Sequence, residues 1–280
     1  MSSIIKRCVS CGTELRGNYC HKCGQREIKK EDKRLRHFFE EAFASLFYAD
    51  GKFFKTLRLL ITKPGELSAS FIGGIRKKYL SPLQLFFFAN LVYFLFPVLS
   101  TFNTPLEVQL NGLPYSPVVE RTVNSYVESS SISIEEFRMQ YDQQSSSIGK
   151  LILIVLVLIH GLILRLLFMD KKQYYFEDFL ATAAYFNSFY ILIMLVGLPY
   201  AILGIAKVTG FSTQLVFSET ILNIVFLSMS LIYMFFLIRY VFGTTLAGTL
   251  WRSVAFTVFM IPSFMIYRFI LFWITYLVVT

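Results

Sequence analysis

Two cysteine pairs near the start of the chain constrain its fold more than any other feature. Cys8 and Cys11 form the first pair and Cys20 and Cys23 the second, with two residues between the members of each. Such knuckles aim two thiolates at one tetrahedral ion, and the glycine after each pair permits the tight turn that this requires. The spacing predicts a short ribbon that holds one structural Zn²⁺. A disulfide pair and free thiols are the alternatives.

The rest of the chain is too apolar for a soluble domain of 280 residues. Hydrophobic residues make up 55% of the sequence and aromatic residues 17%, and the mean hydropathy is +0.56. Each apolar run exceeds the roughly 17 residues that cross a hydrocarbon core about 30 Å thick. The runs lie at about 82–100, 150–169, 179–206, 217–242 and 253–278. The sequence therefore predicts an all-α polytopic membrane protein with about five transmembrane helices.

The stretch before the first apolar run is basic and amphipathic. Residues 1–80 hold 17 basic and 8 acidic residues, so the net charge of +9 arises there. Apolar residues recur at three- and four-residue steps within 35–46 and again within 53–61, which is typical of amphipathic helices. These helices are expected to lie in the headgroup plane or to bury their apolar face against the transmembrane bundle.

Composition divides the chain into three predicted domains. They are a cytosolic zinc ribbon (1–27), basic amphipathic interfacial helices (28–80) and a transmembrane domain (81–280) with an outer helical loop (101–149). Within this loop, the pattern Ser133-x-x-Glu136 predicts the capped start of a helix that runs through Gln144. That loop carries two basic and six acidic residues, whereas 17 basic residues precede the first run. Because basic residues favour the cytosolic side, we expect the N-terminus in the cytosol and the C-terminus outside. No signal-peptide pattern opens the sequence, so the thiols are expected to stay reduced.

Three polar residues fall near the middle of predicted spans. They are Asn90, His160 and Asn187. A polar group in hydrocarbon costs free energy unless it has a partner or water, so each is a candidate functional residue. They are predicted to line the narrow part of a pore or, as the alternative, to join helices through hydrogen bonds.

The basic N-terminal region indicates an anionic partner. Lipid headgroups and a soluble single-stranded oligonucleotide both fit this charge, and the Tyr19 ring can stack on a base. The predicted ligand-binding residues are Arg16, Tyr19, Lys22, Arg26, Lys29, Lys30, Lys33, Arg34 and Arg36. No paired carboxylates, nucleophile–base set or phosphate-binding glycine loop stands out in the sequence, which argues against an enzyme.

Four motifs lie between Cys8 and Pro82. They are Cys8-x-x-Cys11-Gly12, Tyr19-Cys20-x-x-Cys23-Gly24-Gln25, the segment from Thr56-Leu57-Arg58 to Lys63-Pro64-Gly65, and Gly74-x-Arg76-x-x-Tyr79-x-x-Pro82. Together they resemble an uncharacterised bacterial family of zinc-ribbon membrane proteins that carries only a domain-of-unknown-function label. The resemblance implies this architecture and the bacterial inner membrane, without an activity.

The order of the domains is similar to that of membrane effectors of bacterial antiphage systems, in particular the Hailong membrane effector. This similarity is one of layout alone. It implies a homo-oligomeric ion channel that an oligonucleotide, made by a nucleotidyltransferase, keeps shut and that opens when the signal is lost. The alternatives are a transporter or lipid-handling protein whose basic segment binds anionic lipid, and an assembly factor that docks a protein through its ribbon.

Overall fold

The computed structural model describes most of the chain. The described residues are 7–15, 17–25, 52–96, 99, 101–130, 132–210 and 217–280. Within them the chain is mostly helical and contains no strand beyond an isolated bridge between Arg7 and Glu14. The amphipathic helix predicted within 35–46 lies outside the described residues.

The helices of the described ranges are named here in chain order. They are α1 (Lys52–Thr62), α2 (Glu66–Ile72), α3 (Pro82–Leu95), α4 (Leu106–Asn111), α5 (Ser116–Ser130), α6 (Ile134–Ile152), α7 (Ile154–Leu167), α8 (Phe176–Phe189), a π-helical stretch (Tyr190–Gly197), α9 (Leu198–Thr209), α10 (Glu219–Phe242) and α11 (Leu246–Val279). The protein is thus an α-helical membrane protein by the length and hydropathy of its helices.

Three helical segments of the described chain are long and apolar enough to cross a membrane: Phe176–Thr209, Thr220–Phe242 and Leu246–Val279. Helices α6 and α7 meet at 47° and add a fourth if the bent pair counts as one span. Helix α3 has only 14 residues, about 21 Å at 1.5 Å per residue, and falls short of a full crossing. The expected number of about five is therefore not reached by this length criterion.

Helix α8 is the centre of the bundle. Every residue from Glu177 to Leu192 is buried, and α8 packs against α1, α2, α3 and α7. The α7–α8 contact is close, because a Cβ atom added to Gly161 would lie 2.6 Å from Cδ2 of Leu180. Lipid tails are as apolar as the helices, so the hydrophobic effect does not drive helices together in a membrane. Close packing does, and small residues at the contact allow it.

Helices α1 and α2 pack on the bundle rather than standing apart from it. Thr56 and Leu60 of α1 are buried, and the Thr56 hydroxyl accepts a hydrogen bond from the amide of Leu80, at 3.1 Å. Gly65, in the turn between α1 and α2, has a φ of 93°, and a Cβ added there would lie 3.0 Å from the carbonyl oxygen of Leu237 in α10. The apolar face of α1 is therefore turned toward the bundle.

The 101–149 region covers the end of α11. Helices α4, α5 and α6 form a second core with it, made of Leu106, Val119, Val123, Phe137, Tyr141 and Phe272. At 34 residues, or about 51 Å, α11 is longer than a hydrocarbon core and reaches these helices. Ser133 caps α6 by accepting from the amide of Glu136, as the sequence predicts. The helix continues past Gln144 because its next turns pack on α11, where Tyr267 donates to the carbonyl of Gly149.

Candidate metal centre and its contact with the helix bundle

The two cysteine knuckles have the same backbone geometry. In the first, the amide of Cys8 donates to the carbonyl of Thr13 at 2.7 Å and the amide of Gly12 donates to Cys8 at 2.8 Å. In the second, Cys20 and Gly24 make the equivalent bonds, both 2.8 Å long. Both glycines have positive φ, 74° and 68°, a conformation that side chains with a Cβ rarely adopt. Each knuckle therefore turns two thiols toward the same point.

All four sulfur atoms converge on one position. The Sγ atoms of Cys8 and Cys23 lie 3.6 Å apart, those of Cys11 and Cys20 lie 3.5 Å apart, and all four fall within 4.8 Å of one another. Metal–sulfur bonds of about 2.3 Å in a tetrahedron place sulfurs roughly 3.8 Å apart. The four cysteines form no disulfide. This cluster can hold a metal ion with four thiolates.

The thiols of this cluster do not ionise independently. A side-chain hydrogen bond with Thr13 lowers the pKa of Cys11 to about 6. At Cys23 the backbone hydrogen bond with Gln25 acts to lower the pKa, but desolvation and the three neighbouring thiols outweigh it and raise the pKa to about 12. Four thiolates side by side repel one another, and a bound cation compensates that repulsion. The chemistry of the cluster therefore fits a cation.

Gln25 connects the ribbon to the helix bundle. Its side chain is buried, and Oε1 accepts hydrogen bonds from the backbone amides of Arg76 and Lys77, each at 3.2 Å. These two residues lie between α2 and α3. Because Gln25 follows the second knuckle directly, these two hydrogen bonds join the ribbon to the segment that enters α3.

A buried ion pair continues this connection to the central helix. Nη2 of Arg76 lies 2.7 Å from Oε1 of Glu177, and the two side chains are 8% and 1% exposed. The guanidinium also lies over the ring of Phe71, 4.5 Å from its centroid. Glu177 occupies the first turn of α8, where Asp178 caps the helix by accepting from the amide of Tyr175 at 2.8 Å.

The sequence alone did not single out Gln25, Arg76 and Glu177 as one group. Arg76 belongs to a basic cluster at the membrane entrance, and Glu177 is next to a helix-capping acid, so local pattern assigns each a local role. One sequence feature does indicate the contact. Glu177 is an acidic residue in the first turn of an apolar span, and a charge buried there needs a partner.

Most of the predicted ligand-binding residues lie outside the described part of the chain. These are Arg16, Arg26, Lys29, Lys30, Lys33, Arg34 and Arg36. Tyr19 and Lys22 are described, and both side chains are exposed on the ribbon. They are accessible to a soluble anion, and their role stays a prediction.

Two of the three predicted pore residues lie together. Nδ2 of Asn187 lies 3.1 Å from Nδ1 of His160 and 2.8 Å from the carbonyl of Ala183. Since an amide nitrogen only donates, Nδ1 accepts and Nε2 of His160 carries the proton; Nε2 has no hydrogen-bond partner among the described residues. Asn90 is also buried. The contact between α7 and α8 favours the hydrogen-bonding alternative for this pair, and the pore role stays a prediction.

One family model, without an assigned activity, matches a short part of the chain. Residues 50–94 match the model of a family described as a protein of unknown function, DUF3667. The match covers α1, α2 and α3 up to Phe94, includes Arg76, and leaves the cysteine cluster outside it. No curated protein and no solved structure matches the chain.

Proposed function

We propose that this protein is a membrane ion channel whose metal ribbon binds an anionic oligonucleotide and thereby sets the state of the pore. The contact of Gln25 with Arg76 and Lys77 is the observation that carries the proposal. It joins the ribbon to the residues before α3, and the Arg76–Glu177 pair joins those residues to α8. A ligand that prefers one position of the ribbon then shifts the bundle by its differential affinity for the two states.

The metal in the proposal is Zn²⁺, one ion per chain. Four thiolates at tetrahedral spacing suit zinc and leave no open position for water, so the ion has a structural role. The ion would hold together a ribbon too small to form a hydrophobic core of its own. It would thereby fix the orientation of Gln25, which follows Cys23 and Gly24.

The proposed membrane arrangement has five spans with the N-terminus in the cytosol and the C-terminus outside, in the bacterial inner membrane. It adds the 82–100 run and the bent pair α6–α7 to the three long segments. The basic residues that precede α3 and those at the ends of α7 and α10 then share the cytosolic side. Several copies of the chain would form the pore, because five helices alone enclose little water.

The proposed ligand is a single-stranded oligonucleotide made by a partner nucleotidyltransferase. Exposed Tyr19 and Lys22 lie on the ribbon itself, outside the face that packs on the bundle. In an oligomer the positive fields of several ribbons would add, which favours one long anion over mononucleotides. The layout shared with antiphage effectors supports a role in antiviral defence.

The test combines binding and current with two substitutions of one residue. Protein in liposomes is titrated with random-sequence single-stranded DNA and RNA, and ion flux is recorded at each concentration. The logarithm of the binding constant should fall linearly with the logarithm of the salt concentration, with a slope of roughly 0.7 per phosphate contacted. Gln25→Ala removes both bonds to the α2–α3 segment and should keep binding but lose the flux response. Gln25→Glu keeps an accepting oxygen and should respond as the wild type does.

Two outcomes would reject the proposal. One is the absence of salt-sensitive oligonucleotide binding. The other is binding that leaves the flux unchanged, with charge reversal of Lys29, Lys30 and Lys33 weakening only the association with anionic vesicles. The second outcome would favour the lipid-binding alternative, in which the basic segment holds headgroups at about 1 kcal/mol per basic residue.

A further inference from the structure

A surface groove lies where the turn between α1 and α2 meets α10. It is lined by Lys63, Pro64, Glu66, Phe236, Arg239 and Tyr240 and has a volume of about 570 Å³. We call it the α2–α10 groove. Gly65 makes the close approach possible, since its positive φ and missing Cβ allow the turn to lie directly on Leu237 and Tyr240. This contact brings the turn and α10 together as the two sides of the groove.

One side of the groove carries two apolar side chains of α10. Phe236 and Tyr240 are 54% and 57% exposed, although they belong to the segment Thr220–Phe242 that is long and apolar enough to cross the bilayer. An exposed apolar side chain on such a helix is covered by acyl chains. Tyr240 lies two residues before the helix end, at the level where tyrosines contact headgroups.

Positive charge lies on both sides of the groove, at Lys63 in the turn before α2 and at Arg239 on α10 itself. Lys63 is 63% exposed and lies 3.2 Å from Glu66, which offsets its charge. Arg239 is exposed, donates a hydrogen bond to the carbonyl of Thr244, and forms no ion pair with an acid of the described residues. A guanidinium binds phosphate oxygens in a bidentate manner and is weakly hydrated, so it suits a phosphate at an interface.

We propose that the α2–α10 groove binds the headgroup of an anionic glycerophospholipid. The phosphate lies between Arg239 and Lys63, and an acyl chain follows Phe236 and Tyr240 along α10. A lipid fits the groove better than free phosphate does, because a lipid would use both the positive charge and the apolar side chains of Phe236 and Tyr240. Free phosphate would use only the charge. The site is separate from the ribbon, and it does not depend on the proposed channel activity.

The experiment measures lipid retention by the full chain. Protein purified in detergent is incubated with phosphatidylglycerol or phosphatidylcholine, and the bound lipid is counted by native mass spectrometry, with and without inorganic phosphate. Phosphatidylglycerol should be retained in preference, and millimolar phosphate should not displace it. Lys63→Gln and Arg239→Gln should each weaken retention about fivefold, the factor that corresponds to about 1 kcal/mol per basic residue. Lys172→Gln, at an exposed lysine in another loop, is the control.

A substitution that is expected to raise lipid retention distinguishes a change in binding from misfolding. Glu66→Gln removes the acid that offsets Lys63 and should raise phosphatidylglycerol retention, which a damaged protein would not do. Equal retention of the two lipids, or a Lys63→Gln/Arg239→Gln variant that keeps phosphatidylglycerol as the wild type does, would overturn the proposal. Displacement by inorganic phosphate would show an anion site without the lipid, and would also overturn it.

Discussion

Replacing Arg76 by methionine is expected to destabilise the bundle strongly. The substitution leaves the carboxylate of Glu177 buried at the start of α8 without the guanidinium that lies 2.7 Å from it. Breaking a buried ion pair from one side typically costs about 3–5 kcal/mol. At about 2–4 °C per kcal/mol for chains of 150–250 residues, the melting temperature should fall by about 6–20 °C.

Removing both charges together distinguishes the loss of the ion pair from other effects of the substitution. Arg76→Met combined with Glu177→Leu leaves no buried charge from this pair, so the double variant should recover most of the lost stability. Thermal unfolding in detergent, followed by tryptophan fluorescence, measures all variants. Arg138→Met is the matched control, because Arg138 pairs with Glu107 at the surface, where the side chains are 49% and 63% exposed. Its effect should stay below about 1 kcal/mol.

Two results would refute the argument from the buried pair. The first is a double variant that melts no higher than Arg76→Met alone, since the cost would then arise from lost packing on Phe71 and not from the loss of the guanidinium beside Glu177. The second is an effect of Arg76→Met as small as that of Arg138→Met, which would mean that water reaches Glu177.

Three further predictions concern the metal, the packing and the topology. Elemental analysis should find one zinc per chain and almost none in Cys20→Ser; disulfides in a metal-free wild type would contradict this. Gly161→Leu should lower stability by about 1–3 kcal/mol, since its Cβ meets Leu180, whereas Gly204→Leu should not, because a Cβ at Gly204 has no atom within 4 Å beyond its own stretch of helix. A cysteine introduced at Ser129 should react with a membrane-impermeant reagent from outside, and labelling only from the cytosol would reverse the proposed topology.

Local sequence was sufficient wherever the physical cause is local. The Cys-x-x-Cys spacing predicted a four-sulfur cluster, because each knuckle closes through bonds among neighbouring residues. Hydropathy runs predicted membrane helices, and the Ser133 pattern located the start of α6, since a cap acts over one turn. The amphipathic period within 53–61 predicted that α1 has an apolar face but left open what that face contacts.

Tertiary structure decided the contacts between residues far apart in the chain. Gln25 meets Arg76 across 51 residues, and Arg76 meets Glu177 across 101. Periodicity predicts which face of a helix is apolar, but it does not predict the partner of a charged or amide side chain. The pairing of His160 with Asn187 therefore could not be predicted from the sequence either. The break between α6 and α7 also lies inside one continuous apolar run. Composition determined that this chain belongs in a membrane. The packing around α8 determined which polar groups meet inside the bundle, because a polar group buried without a partner costs free energy.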